Sequence, residues 1–177
     1  IDSVNSQNEK ISSSRIEPLI QSGKIDLANE LLGYMYSIGG VIEHGFKRGS
    51  TLLKFPTANL GANKDYLVPS SGVYAGFVYV DDTFYGAMIN VGNNPTFENK
   101  LVSIEAHIFE FDQDIYDRQV RFFFLKKTRN EIRFDGFEAL KKQLQSDIVT
   151  CKNVILHEKK YVNKTASLWD AKVFEFK

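Results

Sequence analysis

Five short runs rich in Val, Ile, Phe and Tyr dominate this chain: Tyr36–Ile42, Val73–Val80, Phe84–Val91, Val102–Phe111 and Val120–Leu125. Runs of this length and composition are strands, and their alternation gives each an apolar face. Val80-Asp81-Asp82-Thr83 and Asp112-Gln113-Asp114 supply turn residues, so neighbouring runs are expected to pair as antiparallel hairpins. Open strand edges invite association with other chains, and a barrel removes them. With a sixth strand near Thr57–Leu60, the expectation is a mainly β fold: a six-stranded antiparallel, Greek-key-like barrel.

The flanks change period. Ser14-Arg15-Ile16-Glu17 offers a capping box, and Ile16, Leu19 and Ile20 follow at helical spacing. Asp26 is placed to cap a second helix with an apolar face of Leu27, Ala28 and Leu31, which Gly33 would end. After the strands, Asp135 and Glu138 give another capping box before Phe137, Leu140, Leu144 and Ile148, the stripe of one amphipathic helix. The expected organisation is a polar start and helical lead-in over 1–33, a barrel plus helix over 34–151, and a tail over 152–177 without a functional reading.

At 177 residues and 43% apolar content the chain can bury one main core. Twenty-two basic residues balance twenty-two acidic ones, so no overall field draws it to nucleic acid or to an anionic membrane. Cys151 is the only cysteine, which excludes an intrachain disulfide and suits a reducing cytoplasm. No apolar stretch approaches a membrane span, and the polar start, Ile1 rather than Met, does not read as a signal peptide. His44, His107 and His157 are too dispersed for a zinc site.

One constellation carries chemistry. The loop Gly45-Phe46-Lys47-Arg48-Gly49 combines glycines, which let backbone approach phosphate oxygens, with two cations. Beyond it, Phe55-Pro56 enforces an extended entry to Thr57 and Asn59, which point the same way if the segment is a strand and offer a hydroxyl and an amide to a cation or phosphate. In Val102–Ile108, alternation sets Glu105 with Ser103 and His107 on the face opposite Ile104 and Ala106, where it could take a proton from an attacking alcohol. Read singly, the loop is a solvated turn and Glu105 a surface carboxylate. Together they are the parts of a small-molecule kinase, although no Walker loop, dinucleotide fingerprint or protein-kinase catalytic loop is present.

Phe55-Pro-Thr-Ala-Asn-Leu60, Gly72-Val-Tyr-Ala75, Asn90-Val-Gly-Asn-Asn-Pro-Thr-Phe97, Ile104-Glu105, Asp114-Ile-Tyr116 and Arg129-Asn-Glu131 follow in one order. That order resembles the riboflavin kinase family across roughly Tyr34 to Asp147. The resemblance implies transfer of the terminal phosphate of ATP to the ribityl hydroxyl of riboflavin, with Mg2+ or another divalent cation, on a six-stranded barrel with a C-terminal helix. It implies Glu105 as base and Thr57 and Asn59 at the metal. ATP would be held by Gly45, Lys47, Arg48, Gly49, Lys54, Pro56 and Thr57, and the flavin by Asn59, Glu105, Arg129 and Glu131.

Ile11–Ile16 and Ala28–Gly33 look like the junction in bifunctional bacterial FAD synthetases, where an adenylyltransferase module precedes the kinase. That module's nucleotide-binding motif would lie before Ile1, so FMN adenylyltransferase activity is not expected of residues 1–177. Three positions depart from the bacterial pattern: the loop to Thr57 is one residue longer with Lys54 for a glycine, Ser50 stands where Arg is common, and Asp117 replaces a glycine. The altered loop keeps open a second reading, a flavin or nucleotide sensor with little turnover. A single-stranded nucleic-acid barrel is disfavoured by zero net charge and the lack of a basic stripe.

Overall fold

The protein is seen in a computed structural model that describes residues 5–6, 9–10, 12–43, 57–62, 65–95 and 100–176. A two-residue ladder, β1 (Asn5–Ser6) with β2 (Glu9–Lys10), precedes helices α1 (Ser13–Gln21) and α2 (Ile25–Leu32). Six strands follow: β3 (Tyr36–Glu43), β4 (Ala58–Ala62), β5 (Gly72–Val80), β6 (Thr83–Pro95), β7 (Lys100–Ile108) and β8 (Gln119–Arg129). Their order is β5-β8-β3-β4-β7-β6, and an additional β5–β6 pairing closes the ring. All six pairings are antiparallel, so the expected barrel is present, including the strand at Thr57–Leu60.

The hairpin expectation holds at one turn and fails at the other. Asp81 and Asp82, with φ of 49° and 54°, form the two-residue turn between β5 and β6, a conformation that Asp tolerates better than most residues. The Asp112–Asp114 segment makes no hairpin, because β8 does not pair with β7 and instead inserts between β3 and β5. The preceding strand accordingly stops at Ile108 rather than Phe111, and the connection crosses one end of the barrel with Ile115 buried in the interior cluster. Asp117 adopts φ 60° there and donates its N–H to the Ile42 carbonyl at 2.9 Å.

The barrel has two buried faces. Ile38, Tyr74, Ile89, Ile104, Phe122 and Phe124 fill the interior, joined by Ile20, Ile25 and Ala28 from α1 and α2. Phe77, Phe84, Phe123 and Leu125 face outward against α3 (Phe137–His157) and α4 (Lys159–Leu168). Burial on both faces explains why β5 and the centre of β8 read as unbroken apolar runs. Asn29 ties the lead-in to the barrel, donating to the Phe124 carbonyl at 2.9 Å and accepting from the Tyr36 N–H at 2.7 Å.

The helix signals were displaced. α1 starts at Ser13, α2 at Ile25 and α3 at Phe137, and their N-cap residues Ser12, Lys24 and Gly136 make no side-chain cap; Asp26 lies inside α2 and accepts the Leu27 N–H at 3.1 Å. Gly33 does end α2 in the left-handed conformation. α2 buries Ile25, Ala28 and Asn29 while Leu27 is exposed, and α3 buries Asp147, Cys151 and Ile155 while Phe137 is exposed. The chain after α3 is ordered against the barrel: β9 (Lys172–Val173) pairs in parallel with β6, Trp169 packs on Tyr79 and Phe123, and Phe176 packs on Phe109.

Candidate active site

Alternation along β7 puts Ile104, Ala106 and Ile108 inside the barrel and Glu105 on its outer wall. The register then lines up its neighbours. Glu105 is the cross-strand partner of Asn59 on β4 and of Asn90 on β6, Glu43 on β3 partners Asn59, and Val73 on β5 partners both Asn90 and Arg129. Partners share a face at about 5 Å, so Glu43, Asn59, Glu105 and Asn90 form one polar row. Thr57, just before β4, donates its hydroxyl to Glu105 Oε2 at 3.5 Å, a loose bond.

Burial raises the pKa of Glu105 above the ordinary carboxylate value, and the Thr57 hydroxyl pulls it back only in part. A carboxylate with raised proton affinity is the better base at neutral pH. Beside it the wall has a gap at Gly92. A methyl group at Gly92 would meet Ser103 Oγ at 3.2 Å, Asn90 Nδ2 at 3.4 Å and Glu131 Oε1 at 3.9 Å, so a second carboxylate borders the floor next to Glu105.

Arg129 shares the outer face through Val73, but its guanidinium turns away from the row to α3. Its Nε donates to both oxygens of Asp147 at 3.0 Å, its Nη2 to Oδ2 at 2.7 Å, and its Nη1 to the Asn130 carbonyl at 2.9 Å. The structure thus brings Thr57, Asn59, Glu105 and Glu131 to one stretch of wall and sets the Arg129 guanidinium on α3. Gly45, Lys47, Arg48, Gly49, Lys54 and Pro56 lie outside the described residues, as do Ser50 and residues 96 and 97. The sequence assigns no role to Asn90, Gly92, Ser103 or Asp147; Asn90 and Gly92 stand together in one motif and Ser103 alternates with Glu105, whereas Asp147 reads as an ordinary polar helix position.

Two cavities lie away from this row, one of about 380 Å³ at Tyr34, Arg121 and Trp169 and one of about 100 Å³ at Asn29, Lys126 and Tyr161. Among the described residues no cluster of three or more His, Cys, Asp or Glu could hold a metal. The oxygen donors Thr57 and Asn59 suit a hard divalent cation that keeps most of its ligands as water and phosphate. Among the described residues no helix is long and apolar enough to cross a membrane.

A closed barrel whose outer wall carries a hydroxyl, an amide and a carboxylate of raised proton affinity can take a proton from an alcohol. A family profile for riboflavin kinase matches residues 32–155, and the chain belongs to the riboflavin kinase family. It is 41% identical over 150 residues to the bifunctional riboflavin kinase/FMN adenylyltransferase of Bacillus subtilis (strain 168), covering 83% of this chain and 47% of that protein. The chain spans about half the length of the curated relatives it matches. Among solved structures, one described as a macrolide-efflux protein from Streptococcus pneumoniae matches with a TM-score of 0.79 and 36% identity, over 86% of this chain and 50% of the other. A riboflavin kinase from Trypanosoma brucei shares the fold, with a TM-score of 0.56 and 21% identity over 79% of this chain and 92% of the other.

Proposed function

We propose that the chain is an ATP:riboflavin 5′-phosphotransferase, making FMN and ADP. The observation that carries this reading is the row of Asn59, Glu105 and Asn90 with the Thr57 hydroxyl against Glu105, on a chain of this family. Glu105 takes the proton from the ribityl hydroxyl as its oxygen attacks the terminal phosphorus of ATP. The new O–P bond forms as the bond from that phosphorus to the bridging oxygen breaks, ADP departs, and the proton rests on Glu105 until solvent removes it.

Thr57 and Asn59 would hold Mg2+ or another divalent cation, which when bound neutralises charge on the phosphates. Phosphate therefore belongs on the Thr57 side of Glu105 and the acceptor on the Asn90–Gly92–Glu131 side. Gly45, Lys47, Arg48, Gly49, Lys54 and Pro56 are assigned to the nucleotide by the family pattern. Glu131 is assigned to the flavin side, Asn59 to the boundary where the cation and the flavin meet beside Glu105, and Arg129 to the support of the flavin side rather than to direct contact. A cytoplasmic setting and an adjoining adenylyltransferase module in the whole protein, as its relatives' names describe for them, belong to the same proposal. Incubation of the chain with riboflavin, ATP and Mg2+ and chromatography of the products tests it: FMN is expected, and unchanged riboflavin overturns the reading.

A further inference from the structure

We propose that Asp147 is a positioning residue for the acceptor end of the site: by clamping Arg129 it sets where Glu131 stands beside Gly92. The inference rests on the kinase reading, in which the alcohol lies against Glu105 and its carrier over the neighbouring Asn90–Gly92–Ser103 floor. Glu131 borders that floor from a segment that leaves β8 at Arg129 and has no strand or helix of its own before α3. Something must therefore hold it.

The clamp has the geometry for the task. Asp147 lies on α3 with its side chain 5% exposed, and Arg129 is 18% exposed. Three guanidinium hydrogen bonds reach the carboxylate, and Gln143, one turn earlier on α3, donates to Oδ1 at 2.8 Å. The remaining Arg129 bond goes to the carbonyl of Asn130, the residue joining Arg129 to Glu131. One carboxylate thus fixes both the end of β8 and the first peptide beyond it to the long helix. The two-oxygen, fork-shaped contact adds orientation that a single charge contact lacks.

A purely structural pair and a positioning pair separate experimentally. Removing one partner strands a buried charge, whereas replacing both by apolar groups of similar volume is often neutral for stability. The double variant Arg129→Met/Asp147→Leu is expected to keep its thermal midpoint within a few degrees of wild type. Its KM for riboflavin should nevertheless rise by ~10-fold or more, because misplacing a contact by an ångström costs up to ~100-fold, while its KM for ATP changes less than ~2-fold. Asp147→Glu, which keeps the charge but moves the carboxylate by one methylene, should fold normally and show the same selective rise to a smaller degree. If either folded variant keeps wild-type KM for riboflavin, or if the KM for ATP rises equally, Asp147 has no positioning role. A wild-type chain that makes no FMN overturns the kinase reading itself and removes the clamp's purpose with it, an outcome visible before any variant is compared.

Discussion

Replacing Glu105 with Gln should move activity and stability in opposite directions. Gln keeps the shape and can still accept from Thr57, and that contact, at 3.5 Å, has little strength to lose. What disappears is the base of the proposed mechanism. Positioned proton transfer contributes ~100- to 10,000-fold, about 2.7 to 5.4 kcal/mol of barrier at 1.36 kcal/mol per decade, so kcat should fall by at least ~100-fold. Riboflavin binding, followed by flavin fluorescence, should change little.

The stability effect follows from the raised pKa. Burial disfavours the charged form in the folded state, so below the unfolded-state pKa Glu105 carries no penalty, and stability is lost as pH rises through the raised folded value. At pH 7 the uncharged Gln variant should therefore unfold at the same or higher temperature than wild type. The gap should close on acidification, and the acid limb of kcat/KM, set above the ordinary carboxylate range in wild type, should vanish in the variant. Near-normal turnover in Glu105→Gln, or a variant that is less stable at pH 7 than at acid pH relative to wild type, would refute the reasoning.

Other substitutions test the remaining parts of the wall. Thr57→Val, nearly isosteric, should weaken turnover at limiting Mg2+ far more than it lowers the thermal midpoint; unchanged turnover under those conditions removes Thr57 from the proposed metal site. Gly92→Ala adds a methyl into contacts of 3.2 to 3.4 Å without a backbone penalty, so circular dichroism should be unchanged while the KM for riboflavin rises about 10-fold. Asn29→Ala leaves the buried Tyr36 N–H and Phe124 carbonyl without their amide partner and should cost about 2–4 kcal/mol in denaturant unfolding, with no selective effect on either substrate's KM.

Much of the fold was legible in the sequence because it depends on local regularities. Alternating apolar residues mark the strands, Asp81-Asp82 marks its hairpin, and edges that must be closed point to a barrel. Alternation also placed Glu105 on the face opposite Ile104 and Ala106. The helix starts were less legible, since packing against the barrel, through Ile25, Ala28 and Cys151, sets which face turns inward and no side-chain cap is formed to fix the first residue. The insertion of β8 between β3 and β5 was not legible at all: which strand fills a gap in a ring is decided by the whole ring, and no local turn signal encodes it. The same holds for the site. Sequence supplied Thr57, Asn59 and Glu105 as residue types, but only register made Asn59 and Asn90 the two partners of Glu105. Only the packing of α3 turned Arg129 toward Asp147, 18 residues away along the chain, because a guanidinium goes to whichever carboxylate tertiary structure brings within reach.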